Sequence, residues 1–421
     1  MWADTATPKP VVGFRVRGHS KLTERTLGYL MHVGIGELKS DADIPELDQA
    51  LHTSELFESI AVTFEEAPGG ILIVATLEDK HSWIIAPTAF VLPGNRAFGV
   101  GFAENNLGGE DAKLLLYAQI GDNTSLGFGT YLDPAWRGTK LQFRVDLYPL
   151  RKHIVEYVND PSAPRSQAVA RDTTFTFLDA GLLVGWVFHW WLIADFRVRG
   201  AYQYFRNAHD DQMNPVKVPE KDGWDIGVQS RITLDARGHH NGLTWGPYLQ
   251  LQLEKSVPGL DSYGYGDFLL RAYYSWALFC EHELELRTHV SAGYHLPLNE
   301  DLTLGGAQDL RGYNVDQFRG DVRALFRAEY SVPITRWRFL AFRAIGFWDT
   351  GIVGYQFQRT SGDRDYLPTQ QNGSHWWRND VGVGLRIYVS SIVLPLLGLD
   401  LGYGIEGHSP EVYFEVGLTD F

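Results

Sequence analysis

The sequence predicts a transmembrane β-barrel of sixteen antiparallel strands preceded by one small α+β domain. Three observations lead there. After His81 the helical period disappears and nearly every segment alternates apolar with polar residues. In "LQFRVDL", Leu141, Phe143, Val145 and Leu147 share one face and Gln142, Arg144 and Asp146 the other. The connections between these segments are long on one side and mostly short on the other, as in outer-membrane barrels. The presumed outer faces are dense in Leu, Phe, Tyr and Trp, and the chain holds 13 Trp and 20 Tyr, residues favoured where a side chain is apolar at one end and wet at the other. A soluble sandwich would alternate too. The length of the segments and the aromatic outer faces favour the barrel over it.

The N-terminal part has a different character. Residues 1–9 form a leader with no charged-then-apolar secretory pattern, and residues 10–80 form the small domain. "VVGFRVRGH" reads as a strand through Val12, Phe14 and Val16. "LTERTLGYLMHV" has helical spacing in Leu22, Leu27, Leu30 and Met31, with Thr23 placed to cap it. "IPELDQALHTSELF" gives a second helix with Pro45 at its start. "SIAVTFEEAPGGILIVATLED" is a hairpin about Pro-Gly-Gly. The order is strand, helix, helix, strand, strand.

Residues 81–421 carry the barrel. Alternation and turn residues place strands at 83–92, 96–104, 111–120, 123–133, 137–149, 172–186, 188–206, 223–236, 243–255, 264–278, 280–294, 320–333, 336–351, 376–390, 391–406 and 410–420. An even count returns both ends to one side. The long gaps are 150–171, 207–222, 295–319 and 352–375. The small domain enters on the short-turn side.

Other classes find no support. No run reaches the ~18–20 apolar residues of a spanning helix; the nearest, "LLVGWVFHWWLIA", is short and contains His189. The formal charge of −14 argues against nucleic acid as a partner. The single cysteine, Cys280, excludes an intrachain disulfide and a Cys-His zinc set. There is no Gly-x-Ser-x-Gly elbow. His239 and His240, adjacent in a turn, lack ligand spacing. We expect no enzyme activity, no cofactor and no metal.

One stretch, "GGAQDLRGYNVDQFRG" at 305–320, packs glycines and arginines between two good strands without an apolar period. Here the sequence resembles the POTRA-containing outer-membrane assembly and translocation barrels, the BamA-like and TamA-like proteins of the bacterial surface antigen family. Leu310-Arg311-Gly312-Tyr313 resembles their apolar-Arg-Gly-aromatic loop motif. "FRAEYSVP" (326–333) and "FWDTG" (347–351) resemble the two strands after it. "ENNLGGED", "LDARGHHNGLTWG", "DVGVGLRIYVS" and the terminal "FEVGLTDF", ending in Phe421, resemble further barrel segments in the family's order. The 10–79 unit has the element order of a POTRA domain. Only one is present, where bacterial assembly factors carry several.

The resemblance implies that the loop folds into the lumen and that Arg311 pairs with carboxylates on the inner wall. Alternation turns Glu329 and Asp349 inward, with Leu340, Phe342, Ala344 and Trp348 toward lipid. Arg suits the role because its fork bonds two carboxylate oxygens together. A tight turn near Thr335 would, however, set Glu329 opposite residue 341 and leave Asp349 about 26 Å away along the strand. Either that turn is longer and bulged, or Arg311 bonds one carboxylate, Asp349 before Glu329. The seam is a second candidate site: Pro87 lacks a ladder donor in the first barrel strand, and Phe421 ends the last. A weakly bonded seam could add a client strand.

The expected function is that of an insertase, which folds other barrels into the outer membrane of a Gram-negative-type bacterium. A secretion pore and a passive channel or anchor are the alternatives. Its partners would be unfolded outer-membrane β-barrel clients, outer-membrane lipids and accessory periplasmic proteins. The small domain would lie in the periplasm, with a signal peptide absent from this numbering.

Overall fold

The computed structural model describes residues 7–54, 56–92, 95–158, 168–240, 243–338, 340–358, 364–371, 375–389 and 395–416. The N-terminal unit runs β1 (Lys9–His19), α1 (Glu24–Leu30), β2 (Leu38–Lys39), α2 (Ile44–Thr53), β3 (Phe57–Ala67) and β4 (Gly70–Asp79). Its sheet order is β2-β1-β4-β3, with β1 parallel to β4 and β3–β4 a hairpin. The Thr23 hydroxyl accepts the Thr26 amide at 3.3 Å and starts α1. Leu27, Leu47, Leu51, Ile73 and Leu77 fill the space between helices and sheet. Gly28 lets α1 approach β1, since a Cβ there would stand 2.6 Å from the Phe14 ring. The two-residue β2 is too short to show any alternation, so sequence periodicity does not reveal it.

The barrel strands come next: β5 (Trp83–Leu92), β6 (Asn95–Leu107), β7 (Ala112–Gly121), β8 (Thr124–Asp133), β9 (Leu141–Tyr157), β10 (Val169–His189), β11 (Leu192–His209) and β12 (Gly223–Asp235). A three-residue β13 (Gly238–His240) rides on β14 (Leu243–Ser256), and β15 (Gly266–Ala277) and β16 (Glu283–Tyr294) continue the wall. The short β17 (Leu302–Leu304) and β18 (Phe318–Gly320) pair with each other, outside the wall. The wall resumes with β19 (Val322–Trp337), β20 (Leu340–Gly354), β21 (His375–Val389), β22 (Pro395–Gly404) and β23 (Ser409–Val416). Sixteen antiparallel strands close when β23 pairs with β5. A four-residue helix, α3 (Pro368–Gln371), lies in the β20–β21 connection. No helix among the described residues is long and apolar enough to cross a membrane.

The wall separates two environments by strand parity. On β10, Leu178, Leu182, Val184, Trp186 and Phe188 face outward, while Phe175 and Leu183 are fully buried inward. The inner face carries the buried charges of the wall, Asp146, Asp179, Asp195 and Arg199 among them, and the outer face is apolar, the inverse of a soluble sheet and the pattern of a barrel in lipid. β9 and β10 extend further past the membrane band than periodicity indicates, so that connection shrinks to 158–168. Beyond the band both strand faces are polar or mixed, as in "RKHIVEY", and the alternation that marks a lipid-facing strand fades.

The β19–β20 connection corrects the register inferred from a tight turn near Thr335. β19 continues to Trp337 with a shift between Pro333 and Thr335. Glu329 therefore stands opposite Phe347, and Asp349 opposite Arg327. The two carboxylates lie two residues apart across one strand pair, not eight. The turn is no longer than a tight one, since Trp337 pairs with Leu340; it comes later in the chain, and the irregularity lies within β19 before it.

Candidate functional site: the inward loop and the seam

The connection from β16 to β19 leaves the wall at Tyr294, makes the β17–β18 hairpin and sends residues 305–317 into the lumen. Gly305 and Gly306 take φ of +115° and +113°, values that few side-chain-bearing residues adopt. The descending tip is knitted internally: the Gly306 amide donates to the Leu310 carbonyl at 3.1 Å, and the Gln317 amide to the Asn314 carbonyl at 3.2 Å. Leu310 is fully buried with Leu304, Tyr313, Phe318, Leu325 and Val353. This small apolar cluster orients the tip against β19 and β20.

Arg311 has no exposed surface. Its Nε and Nη2 donate to the two oxygens of Asp349 at 2.8 and 3.0 Å. Its Nη1 donates to Glu329 Oε2 at 2.8 Å and lies 3.6 Å from Asp400. The guanidinium also stacks on the Phe347 ring, 3.4 Å from its centroid. One planar fork thus joins two strands of the wall to the loop. Arg327 adds a second tie, donating to Asp349 at 3.2 Å and to the loop carbonyl of Gln308 at 2.9 Å. Arg386 holds Asp400 through two bonds, at 2.6 and 2.8 Å.

Gly312 and Tyr313 carry the contact across β21, β22 and β23. The Gly312 amide donates to Asp380 Oδ2 at 3.0 Å. Tyr313 Oη donates to Glu406 at 2.5 Å, and Tyr413 Oη donates to the Tyr313 carbonyl. The backbone approaches this closely because the inner face is paved with glycine. A Cβ on Gly402 would collide with the Arg311 carbonyl, and one on Gly312 with the Gly404 backbone. Gly382 likewise leaves room for the Phe347 ring.

The loop also reaches the opposite wall. Arg319 Nε donates to the Val155 carbonyl of β9 at 3.4 Å. Leu298 inserts among Leu150, Ile154, Phe175 and Phe205. Asp301 accepts Tyr355 Oη at 2.7 Å and Arg364 Nη1 at 2.7 Å, which draws the β20–β21 connection over the loop. Arg171, bound to Glu156 at 2.6 Å and Asp365 at 3.0 Å, fastens that connection to β9–β10.

At the seam, β23 and β5 share three residue pairs among the described residues: Phe414 with Val91, Glu415 with Phe90, and Val416 with Ala89. Every other junction of the wall shows seven or more. The β5–β6 hairpin ends near Leu92, so Ser409–Tyr413 of β23 run on past β5 and pair with β22 alone. Pro87 sits in β5 opposite Val100 of β6, two residues beyond the last described seam pair. Phe421 lies outside the described residues, as do the His239 and His240 side chains. Among the described residues no group of three metal-ligating side chains occurs.

Arg311, Glu329 and Asp349 thus come together in one place. Sequence reasoning missed Asp380, Asp400, Arg327, Arg386, Glu406 and Tyr413, and the glycine paving. A signal exists: in "LGLDLGYG", Gly398, Asp400, Gly402 and Gly404 occupy every second, inward position.

A closed sixteen-stranded barrel with an apolar exterior and an arginine-locked loop across its lumen defines an outer-membrane barrel of the assembly and translocation class. Residues 106–418 match the Omp85 superfamily domain, and the chain belongs to that superfamily. Its fold is similar to BamA from Haemophilus ducreyi lacking POTRA domains 1–3, at TM-score 0.63 and 13% identity over 97% of this chain and 84% of that one. It is similar to CdiB from Acinetobacter baumannii (TM-score 0.60, 15% identity, 97% and 74% covered). It is also similar to CdiB from Escherichia coli (TM-score 0.63, 12% identity, 96% and 76% covered). No curated protein matches the chain by sequence.

Proposed function

We propose that this protein inserts other β-barrel proteins into the bacterial outer membrane through the seam between β5 and β23, with the N-terminal unit acting as a periplasmic POTRA domain. The observation that carries the proposal is the seam itself. Three described pairs hold it, and five residues of β23 beyond them present an edge unpaired by β5. An unpaired edge is a template for an incoming strand. The lumen supports the same reading, because the loop ties opposite walls together and leaves lateral opening as the less obstructed route.

The test is reconstitution. The purified protein in liposomes is given an unfolded outer-membrane barrel, and folding is followed by heat-modifiable gel mobility. A disulfide between Val91→Cys and Phe414→Cys, in a Cys280→Ser background, locks the seam. Acceleration by the unlocked protein that disappears on oxidation supports insertion through the seam. Unchanged client folding, with a protein or ions crossing the lumen instead, would assign the secretion pore.

A further inference from the structure

The second site lies where the N-terminal unit meets the short-turn end of the barrel. The docking is specific. The Thr23 amide donates to the Gly109 carbonyl at 2.9 Å, Lys21 Nζ donates to Ser82 Oγ at 2.9 Å, and Arg25 pairs with Glu110 at 2.6 Å. Gly109 and Gly138 permit it: a Cβ on the first would strike the Lys21 carbonyl, and on the second the Arg25 side chain. His32 faces Trp190 with ring centroids 6.4 Å apart.

Beside these contacts a cavity of about 660 Å³ remains between the two parts, within the ~300–1,000 Å³ of small-molecule sites. Phe14, Tyr29 and Val33 of the N-terminal unit line one side, and Phe188 and Trp190 the other. The second side continues the outward row Leu182, Val184, Trp186 and Phe188 of β10. The cavity therefore opens onto the surface that meets lipid. Trp136, tilted on Phe143 at 5.6 Å and beneath Arg137 at 5.6 Å, marks the membrane boundary on the adjacent turn. Ile35, 73% exposed at the cavity's rim, is a large apolar side chain left on a domain that would otherwise be in water.

The lining is amphipathic in a particular sense. Its apolar part adjoins the lipid-facing wall. Lys140, exposed on the β8–β9 turn, lies at its rim and pairs with no carboxylate among the described residues. We propose that this cavity holds one anionic glycerophospholipid of the adjoining leaflet. An acyl chain would lie between α1 and Phe188–Trp190, with the phosphate at Lys140. Continuity with the bilayer surface, the unpaired cation and the exposed isoleucine select a phospholipid over a peptide. The proposal rests on the membrane-spanning barrel and is independent of the insertase reading.

The experiment uses the full chain in nanodiscs containing a phosphatidylglycerol with a photoreactive acyl chain. Labelled peptides are mapped after irradiation, and retained lipid is counted by native mass spectrometry after detergent extraction. We expect labelling within 29–35 as well as 187–190, and one phosphatidylglycerol retained per chain. Ile35→Trp, which fills the mouth, and Lys140→Glu should each cut retention at least fivefold. Ile120→Trp, on the outer face at the opposite end, should leave it unchanged. Labelling confined to barrel strands, or equal retention in all variants, means annular lipid only and overturns the proposal. Displacement by glycerol phosphate alone would make this an anion site and overturn it equally.

Discussion

Replacing Arg311 by alanine removes three charge-assisted hydrogen bonds, those to Asp349 at 2.8 and 3.0 Å and to Glu329 at 2.8 Å. It also removes the stack on Phe347. Breaking a buried ion pair costs ~3–5 kcal/mol, because the remaining charge stays desolvated. Asp349 keeps Arg327 at 3.2 Å, and Glu329 has a quarter of its side chain exposed, so the lower end, ~3 kcal/mol, applies. At ~1.4 kcal/mol per factor of ten, the undocked loop gains roughly 100-fold in population. Hydrogen exchange reads this directly, since the amides of Gly306, Asp309, Gly312, Tyr313 and Gln317 are all bonded in the docked loop. Exchange in peptide 306–317 should quicken by roughly that factor while the barrel strands stay protected. Arg311→Lys, which keeps the charge but not the fork, should fall between. Unchanged exchange in 306–317, with heat-modifiability proving the barrel folded, would refute the lock.

One further outcome tests the geometry of the loop apart from its charge, and another tests the turn under α1. Gly402→Leu places a side chain against the Arg311 carbonyl and leaves every charge in place; an overpacking cost of ~1–3 kcal/mol should speed exchange in 306–317 by roughly 5- to 100-fold. Burial, reinforced by Asp133 and opposed by Lys113, pushes the Asp111 carboxyl up to about 6 from 3.8 in the turn beneath α1. The folded state then binds the extra proton, so stability of this turn is greatest below pH 4 and is lost as pH rises through about 6. The effect is at most ~3 kcal/mol at 1.36 kcal/mol per unit. Exchange of peptide 104–112 should accordingly be slower at pH 5 than at pH 7.5 after correction for intrinsic rates, and Asp111→Asn should abolish the difference.

Strand number, strand order and the inward orientation of Glu329 and Asp349 were legible because each rests on period-two alternation, which a lipid-facing wall imposes strictly. The register of β19 on β20 was not. The strand runs on to Trp337 before it turns, and the irregularity between Pro333 and Thr335 shifts the count by one more; neither leaves a trace in the hydrophobic pattern. The remainder of the site was hidden for a different reason. Asp380, Asp400 and Glu406 belong to strands and turns far from the loop in sequence, and only barrel closure brings them beneath it. The inward glycines of β21 and β22 could have been noticed, but a glycine in a strand reads first as a bulge or a weak point, and its meaning here depends on the backbone that presses against it.

The arrangement of charge explains why the loop is held by arginines and not by a larger apolar core. A buried ion pair adds little net stability over a well-packed apolar one, but it fixes register, since a planar fork meets its carboxylates in few placements. Four carboxylates, Glu329, Asp349, Asp380 and Asp400, face Arg311, Arg327, Arg386 and the Gly312 amide. Leu310, set three residues from Tyr313, could pack against the wall in several positions; the fork of Arg311 permits fewer. The position it takes bears on β21 through Asp380, on the β22–β23 turn through Glu406, and on β23 through Tyr413. These strands form the side of the barrel that ends at the seam. A docked loop therefore braces the strand that, among the described residues, shares the fewest pairs with its neighbour. Any change that frees the loop removes contacts from β23, and by linkage any opening at β23 weakens the hold on the loop.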